Sequence, residues 1–561
     1  MAPAVSVKVR VWSRREIEGL IADGRKIIIL SGQVVKADAW LPYHPGGDKS
    51  ILHMVGRDAT DEITALHSRE AQAHMQKYVI GRVHGKWENL LPPIQGGTFR
   101  TLVSTHADNQ TLHSEEEEIS SSGNSTPPSP VFDTNVIGNE HFRRRAGNDT
   151  PASQRSSISS SEPGLRQFRS GEASTAYGIS TDLSNYPGLD KRSQDEIVSK
   201  YRQLDERLQS EGLYQCPYGY YAIELVRYCI LFVLFLTCLH YSYYALSGLF
   251  LGLFWHLLAF TVHDAGHMSI THGFHTDSCV GIFIADFLGG LSIGWWKRNH
   301  NVHHIVTNSP EHDPDIQHMP FFAISSRFFN SLRSSYYDRD MNFDAAARFF
   351  IKHQHYLYYP ILLMGRFNLY VLAWSYLLDP VQAPRKGPAW WHRYLELAGQ
   401  VFFWYWFGYR TLYLSIPTWS SRITFLLISH MVTAPLHVQL TLSHFAMSTA
   451  DLGIHESFAQ KMVRTTMDVD CPPWLDFVHG GLQHQVVHHL FPRLPRHNLR
   501  RAQKYVKEFC HDVGIPYVIF GFARGNMEVI SRLGEVADQL KVLEECRKVA
   551  AKDLIEGHHG Y

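Results

Sequence analysis

Long apolar segments constrain the fold of this chain most strongly. They are concentrated between about residues 222 and 442, and both flanks of the chain are polar. Ile223–Tyr241 and Tyr244–Val262 are each long enough to cross a bilayer as a helix. Two such helices form a hairpin, so we expect His263 to lie on the side of the membrane where the chain begins.

The other apolar segments complete the predicted topology. Val280–Trp296 contains an aspartate and several glycines, which predicts an interfacial or re-entrant piece. Tyr356–Leu378 carries an arginine and an asparagine at its centre, a costly arrangement in hydrocarbon, so we expect it to lie flat at the interface. Leu395–Ser415 and Ile423–Leu442 are expected to cross. The prediction is four spans with both termini cytosolic, in agreement with the basic residues of the long central loop.

Three clusters of closely spaced histidines lie beside these apolar segments. A lone histidine pair is more often surface chemistry or a satisfied polar contact, but three clusters together indicate a metal site. Within the second cluster the spacing is i, i+3 and i+4, which places its rings on one helix face. Seven neutral imidazoles exceed the four ligands of a tetrahedral zinc, so we infer two metal ions. The candidate ligands are His263, His267, His300, His303, His304, His488 and His489.

The last apolar segment adds three histidines at seven-residue intervals. His430, His437 and His444 therefore share one helix face. His444 lies nearest the cytosolic boundary, where it could complete the metal shell. For His430 and His437, a buried polar contact between helices is the simpler interpretation.

Composition excludes several other functions. The chain has 53 basic and 53 acidic residues, so no net field attracts nucleic acid. Seven cysteines without a Cys-x-x-Cys argue against a disulfide framework or a thiolate metal site. Met1 to Gly19 carries charges without an apolar core, so no cleaved signal peptide is expected.

A compact domain is predicted before the apolar region, over residues 8–90. Lys26–Leu30 and Gln33–Val35 are predicted to be strands that turn at Ser31-Gly32. Two histidines further along, on opposite walls of an apolar cleft, could bind haem iron from both sides and leave no open position. Such a centre transfers electrons.

The haem prediction depends on a motif and one later histidine. His44 begins the turn His44-Pro45-Gly46-Gly47, and His67 follows an acidic, helical stretch. This segment resembles cytochrome b5, and the resemblance implies that His44 and His67 are the axial ligands. His53 and His74 do not match the motif, and we expect them at the surface.

The predicted architecture is multidomain. The small α+β haem domain precedes a disordered linker, rich in serine and proline, over residues 98–190. An all-α, multi-pass membrane domain with four transmembrane helices and a cytosolic cap of histidine boxes is expected over 191–530. A C-terminal cytosolic tail is expected over 531–561.

Iron is the metal that best fits this combination of domains. Imidazoles suit zinc, copper or iron, but zinc hydrolysis needs no electrons, and this chain joins a one-electron carrier to its metal site. The combination indicates reductive activation of dioxygen. The second nitrogen of each ring needs a hydrogen-bond acceptor, for which Asp264, Asn308, Asp313 and Asp315 are candidates.

The three histidine boxes and the haem domain resemble the front-end membrane desaturases, over nearly the whole chain outside the linker. The resemblance implies that the seven box histidines are di-iron ligands, joined by His444 and by Gln485, because the third box of this family begins with glutamine. Val487 departs from the family, which has glutamate there. His484 stands i, i+4 from His488, so either His484 or Gln485 could approach the iron. The run 480–496 and the long insert are most similar to fungal sphingolipid 8-desaturases.

This resemblance implies an enzyme that inserts a double bond between carbons 8 and 9 of the sphingoid base of ceramide. It implies haem b, two non-haem iron ions and dioxygen, with electrons from NADH through cytochrome b5 reductase, in the endoplasmic reticulum membrane with both termini cytosolic. A front-end fatty acyl desaturase and a lipid hydroxylase on the same scaffold are alternatives. A non-catalytic, membrane-anchored haem electron carrier with structural zinc is an alternative of another class, and metal analysis separates it from the oxidases.

Overall fold

The computed structural model describes residues 10–102, 175–379, 381–382 and 386–557. Most of the predicted linker, with the glycosylation sequons at Asn109, Asn124 and Asn148, lies outside the described residues. The described end of that segment, 175–190, packs on the membrane domain. There Asp182 is buried and accepts from Arg464 Nη1 at 2.7 Å.

The N-terminal domain is a mixed α and β fold around a four-stranded sheet in the order β1-β4-β3-β2. The predicted hairpin is confirmed, since β2 and β3 pair antiparallel with Ile27 opposite Lys36. Positive φ angles of 51° at Ser31 and 74° at Gly32 make the turn. The strands are β1 Val11–Trp12, β2 Ile27–Leu30, β3 Gln33–Lys36 and β4 Val79–Val83. The helices are α1 Arg14–Ala22, α2 Asp48–Leu52, α3 Thr60–Leu66 and α4 Arg69–Met75.

The second domain is helical and begins with α5, Lys191–Ser210. The helices of its apolar region are α6 Tyr218–His240, α7 Tyr244–Gly266, α8 Phe274–Ile282, α9 Ile293–Val306, α10 Ala345–Leu363, α11 Gly365–Leu378, α12 His392–Phe403, α13 Trp419–Met431 and α14 Ala434–Phe445. The later helices are α15 Phe458–Arg464, α16 Asp476–His479, α17 Gln485–Leu490, α18 Arg496–Asp512 and α19 Phe522–Gly557. Two small sheets pair β5 Arg333–Ser334 with β6 Arg339–Asp340, and β7 Asp468–Asp470 with β8 Ile519–Gly521.

Three helical segments are long and apolar enough to cross a membrane. They are α6, α7 and the continuous pair α13 and α14, and they coincide with three of the four predicted spans. The fourth, 395–415, forms α12 and its wider continuation Trp404–Leu414, which exposes aromatic rings such as Tyr405 and Tyr413. Two bent pairs, α8 with α9 at 118° and α10 with α11 at 69°, raise the possible number of spans to five.

The bend between α8 and α9 fits the re-entrant piece expected at 280–296. Ser292 caps α9 by accepting from the Trp295 backbone N–H at 3.0 Å, so the new helix starts where the apolar run ends.

The position of Arg366 removes the reason for which 356–378 was predicted to lie flat at the interface. It is buried inside the bundle, where Nη2 donates to the Gly289 carbonyl at 2.6 Å and the guanidinium lies 4.0 Å from the Trp255 ring centroid. Because its charge faces protein groups, Arg366 does not hold the helix out of the membrane.

The predicted boundary after residue 530 falls inside α19, which continues without a break to Gly557. Val529 and Leu533 of α19 pack in one cluster with Tyr358 and Leu362 of α10. Val536 and Leu540 pack with α10 in another. Residues on both sides of the boundary therefore belong to one helical core.

Candidate metal centre

The fold brings the three histidine boxes to one place. His300, His303 and His304 are buried on one face of α9, and His263 and His267 lie at the end of α7. α17 supplies His488 and His489, and α14 supplies His444. Residues that are far apart in the chain thus meet on four helix ends or turns, as a multinuclear site requires.

The histidines form two adjacent groups. Within each group the ring nitrogens that could hold a metal lie within 4.8 Å of one another. His304 stands between the groups, with its ring centroid 4.8 Å from that of His488 and 4.4 Å from that of His489. The first group is His263, His267, His300 and His488, and the second is His303, His444 and His489.

Unpaired nitrogens show that this donor set fits metal ions. Nε2 of four of these histidines and Nδ1 of His304 are buried without a hydrogen-bond partner in the described structure. Two ring nitrogens, Nε2 of His304 and Nε2 of His300, lie 3.1 Å apart. Buried polar atoms are normally satisfied, and a metal ion would satisfy several of these lone pairs at once. The four histidines with an unpaired Nε2 are His263, His267, His488 and His489.

The opposite nitrogens of several rings have acceptors. His303 Nδ1 donates to Asp313 Oδ2 at 2.9 Å, and His300 Nδ1 to Asp315 Oδ2 at 3.3 Å. His444 Nδ1 lies 3.3 Å from the Thr465 carbonyl. Such contacts fix the ring orientation and direct the other nitrogen to a metal.

The other two proposed acceptors have different roles. The Asp264 carboxylate lies 3.8 Å from His263 Nδ1 and accepts from Tyr221 and Arg496. Asn308 donates from Nδ2 to the His444 carbonyl at 2.9 Å, so it holds backbone. Sequence reasoning missed Thr465 and Arg496, because a backbone carbonyl and a distant arginine give no local signal.

His484 and Gln485 are both buried where α17 begins. His484 Nδ1 lies 3.2 Å from Gln503 Nε2 and 3.9 Å from Asp468 Oδ2. Its ring belongs to neither histidine group. Gln485 stands one turn before His488 and His489, so the three residues share a helix face.

Of the three histidines of the last apolar segment, only His444 belongs to a histidine group of the metal centre. His430 is buried, with Nε2 3.1 Å from the Tyr370 hydroxyl and its ring stacked on Phe367 at 4.3 Å. The predicted polar contact between helices is confirmed for His430. His437 is half-buried and lies against Gly365 of α11, and its predicted polar contact is not seen among the described residues.

The haem-domain histidines face one another. The ring centroids of His44 and His67 are 5.9 Å apart, and metal–imidazole bonds of about 2 Å place two axial rings at roughly this separation. His44 Nδ1 lies 2.7 Å from the Gly47 carbonyl and His67 Nδ1 3.1 Å from the Ile63 carbonyl, which leaves Nε2 of each ring for iron. Burial lowers the pKa of His67 to about 3 and also lowers the pKa of His44, which favours the neutral rings that metal binding requires.

His53 is not at the surface, and that prediction is wrong. Its ring is fully buried, 5.2 Å from the His312 ring of the membrane domain, and Nδ1 lies 2.9 Å from Gln95 Nε2. The motif of the haem domain alone does not show that a second domain covers this residue. His74 is exposed, as predicted.

The haem domain packs against the outer face of α9. Val302, Ile305 and Val306 share an apolar cluster with Ile51 and Met54 of the haem domain. The opposite face of the same helix carries the three box histidines. α9 therefore lies between the haem domain and the metal centre.

Polar contacts surround that apolar cluster. Arg298 Nη2 pairs with Asp48 Oδ1 at 2.6 Å, and Lys49 Nζ with Asp338 Oδ2 at 2.5 Å. Gly46, two residues after His44, touches Asn301, the residue after His300. A Cβ on Gly46 would lie 2.6 Å from Asn301 Nδ2, so the missing side chain allows the two segments to approach closely.

Comparison with known families agrees with this organisation. Residues 240–521 match the family described as fatty acid desaturase. Residues 13–84 match the cytochrome b5-like heme/steroid binding domain. These families imply haem in the first domain and iron in the second, and the two histidine groups are compatible with that iron.

Curated relatives cover the chain almost completely. A protein of Emericella nidulans named Delta 8-(E)-sphingolipid desaturase is 59% identical over 99% of this chain and 100% of its own length. A Kluyveromyces lactis protein of the same name is 47% identical over 98% of this chain and 96% of its own. A Helianthus annuus protein named Delta(8)-fatty-acid desaturase is 38% identical over 62% of this chain and 75% of its own. The chain therefore belongs to the fatty acid desaturase family, as an integral membrane protein with a cytochrome b5-like domain at its N-terminal side.

Proposed function

We propose that this chain is a sphingolipid 8-desaturase that introduces an E double bond between carbons 8 and 9 of the sphingoid base of ceramide. The observation that carries the proposal is the 59% identity to the Emericella nidulans enzyme over the full length of both chains. The two buried histidine groups support it, because they supply the donor set that such oxidation chemistry requires.

The proposed di-iron ligands are the box histidines and two further residues. Iron held there would supply reductive activation of dioxygen. Two hydrogens from adjacent carbons of the lipid, two electrons and two protons convert O2 into two waters and leave the double bond. We assign the disputed position to Gln485, because it stands one turn before His488 and His489, whereas the His484 ring belongs to neither histidine group. The full set is His263, His267, His300, His303, His304, His444, Gln485, His488 and His489.

The electrons enter through the haem domain. His44 and His67 would hold haem b, reduced by NADH through a separate cytochrome b5 reductase. The contact of Gly46 with Asn301 supports a direct transfer across α9, since it joins the His44 turn to the residue beside His300. In this account the protein groups position both centres and exclude water between them.

The membrane arrangement is part of the proposal. We infer four spans, formed by α6, α7, α12 with its continuation, and α13 with α14, in the endoplasmic reticulum. Both termini and the histidine boxes then lie in the cytosol. We divide the chain into a haem domain (8–90), a linker (98–190) and a desaturase domain that begins at residue 191 and includes the whole of α19.

Lipid analysis tests the proposed reaction. Expression in a host that lacks sphingoid 8-unsaturation should yield ceramides whose base carries one new E double bond at carbon 8. Mass spectrometry after cleavage at the double bond locates it. New unsaturation confined to fatty acyl chains, or a hydroxyl group in place of the double bond, would contradict the proposal. A His303→Ala variant, which loses a box histidine, is the control without activity.

A further inference from the structure

An arginine of the desaturase domain lies beside the haem domain, on the turn between α17 and α18. This residue is Arg493, and the turn is held by the Leu494 N–H, which donates to the Phe491 carbonyl at 3.0 Å. Phe491 and Leu494 are buried and share one apolar cluster with Ala65 of the haem domain. Ala65 precedes His67 by two residues, so this packing brings Arg493 to the side of the haem domain that carries this proposed ligand.

The guanidinium of Arg493 has unused hydrogen-bond donors. Its Nε is buried without a partner in the described structure, and Nη2 lies 3.4 Å from His272 Nδ1. Both ring nitrogens of His272 also lie near backbone carbonyls, Nδ1 at 2.9 Å from that of Met268 and Nε2 at 2.8 Å from that of Tyr214. The His272 ring therefore supplies no negative charge, and most of the five N–H donors of the guanidinium remain for a ligand.

Arg493 also forms no ion pair with a carboxylate among the described residues. The acidic side chains whose charge reaches it are Glu70, Asp277 and Asp205. Asp205 and Asp277 accept hydrogen bonds from other groups, at 2.7 Å and 3.0 Å, and Glu70 is exposed. Burial lowers the pKa of Arg493, because a cation withdrawn from water is costly unless an anion lies against it.

The positive charge of Arg493 acts on the haem cleft. Burial is the largest cause of the low pKa of His67, the His44 ring is the next, and Arg493 lowers it further. The pKa of Glu70 is lowered by hydrogen bonds from its own backbone and from Ser68, and then by Arg493. An arginine without a counter-ion thus lies close enough to the second haem ligand to alter its protonation.

Haem can supply the missing anion. Its ring carries two propionate carboxylates, and a carboxylate accepts two parallel hydrogen bonds from a guanidinium. The side chains of His44 and His67, which would bind the iron, are half-buried, so the cleft between them is open at an edge. The unpaired Nε of Arg493 fits a carboxylate at that edge.

We propose that Arg493 of the desaturase domain binds a propionate of the haem that His44 and His67 hold. This inference rests on the proposed haem ligands. It makes haem a ligand shared by the two domains, bound at its iron by one and at its edge by the other. The turn that carries Arg493 follows α17 directly, so one segment would contact the haem edge and supply His488 and His489 to the metal centre.

Haem release tests this contact in the full-length protein in phosphatidylcholine nanodiscs. Arg493→Met keeps an apolar stem and removes the guanidinium. We expect haem to transfer to excess apomyoglobin about tenfold faster, because a charge-assisted pair of hydrogen bonds is lost. Arg493→Lys keeps the charge without the planar fork, so its release rate should lie between the two. Arg501→Met changes an exposed arginine of α18 and should release haem like the wild type.

Haem dimethyl ester separates direct pairing from a structural role. The ester has no propionate charge, so the wild type should release it faster than haem. Arg493→Met should then release the ester no faster than the wild type does, because the group that Arg493 binds is already absent. Non-haem iron content and Tm establish that each variant is folded.

The outcomes distinguish this inference from the proposed haem ligands. Equal haem release from the wild type and folded Arg493→Met would overturn the inference. An equal acceleration of haem and ester release in Arg493→Met would also overturn it, because the arginine would then act without the propionate. An unchanged low-spin haem spectrum in His67→Ala would instead overturn the proposed ligands, and the inference with them.

Discussion

The two nitrogens of several metal-centre histidines have separate tasks, and the contacts of Asp313 show this most clearly. It is fully buried and accepts from His303 Nδ1 at 2.9 Å, from the Asn308 N–H at 2.7 Å and from the Asp315 N–H at 2.9 Å. One carboxylate thus orients a ring and closes the loop after α9. The sequence allowed Asp313 and Asp315 to be predicted as acceptors, because they follow the histidine box closely. The orientation of Asp264 toward Arg496 could not be predicted, since these residues are distant in the chain.

Asp313→Asn should weaken iron binding by about 10–100-fold, the usual cost of losing a partner behind a metal ligand. The amide places an N–H₂ group among three donors, so His303 loses its fixed orientation. Iron retained by the purified full-length protein against a graded chelator series measures the change. Asp340→Asn, at an exposed carboxylate 3.7 Å from Arg333, is the matched control. Equal retention in the two variants would contradict the role given to Asp313.

At the scale of elements, α9 connects the two domains. Its helical structure and its histidine face follow from the i, i+3, i+4 spacing and could be predicted. Its other face could not be, because Val302, Ile305 and Val306 pack against α2 of another domain, and only the folded chain brings the two together. The burial of His53 has the same cause. Local patterns predict elements and ligand faces, whereas contacts between distant segments need the tertiary structure.

The ion pair between Asp48 and Arg298 offers a direct test of this docking. Asp48→Arg replaces this ion pair, 2.6 Å long, with two repelling cations. We therefore expect electron transfer from haem to slow about tenfold. The double variant Asp48→Arg with Arg298→Asp should recover much of the rate. Stopped-flow reoxidation of reduced haem, with lipid and dioxygen present, measures it, and iron content is checked in each variant.

Asp23→Arg is the control for that experiment, because Asp23 is an exposed haem-domain carboxylate at the end of α1. A zero-length carbodiimide cross-link between Lys49 and Asp338 should form in the wild type and in Asp23→Arg, and should decrease in Asp48→Arg. Reoxidation at the wild-type rate in Asp48→Arg, with the cross-link decreased, would show that this interface does not carry the electrons.

At the scale of the molecule, apolar length predicted α6, α7 and the α13–α14 pair as spans. Composition was less informative near residue 182, at the end of the predicted linker. The serine-rich linker was predicted to be disordered. Asp182 near its end nevertheless pairs with the buried Arg464 at 2.7 Å, and Glu456 pairs with the same arginine at 2.7 Å. A single charged residue can fix such a segment when its partner is buried elsewhere. Average composition contains no information about that partner.

The proposed topology predicts no glycosylation of the segment before the membrane domain. Asn109, Asn124 and Asn148 should all remain unmodified in the endoplasmic reticulum, because this topology would place them in the cytosol. A sequon loop inserted between α12 and α13, near residue 416, should be glycosylated as the lumenal control. Endoglycosidase-sensitive mobility shifts report both. Glycosylation of any of the three native sites would show that the proposed orientation is wrong.

Metal analysis tests the central claim most directly, because the claim is that separated histidine boxes fold into one paired iron centre next to a haem domain. The full-length protein, purified without added metal, should contain two non-haem irons and one haem per chain. His303→Ala should lose the non-haem iron and keep the haem. Zinc in place of iron, or an iron content that His303→Ala does not change, would contradict it.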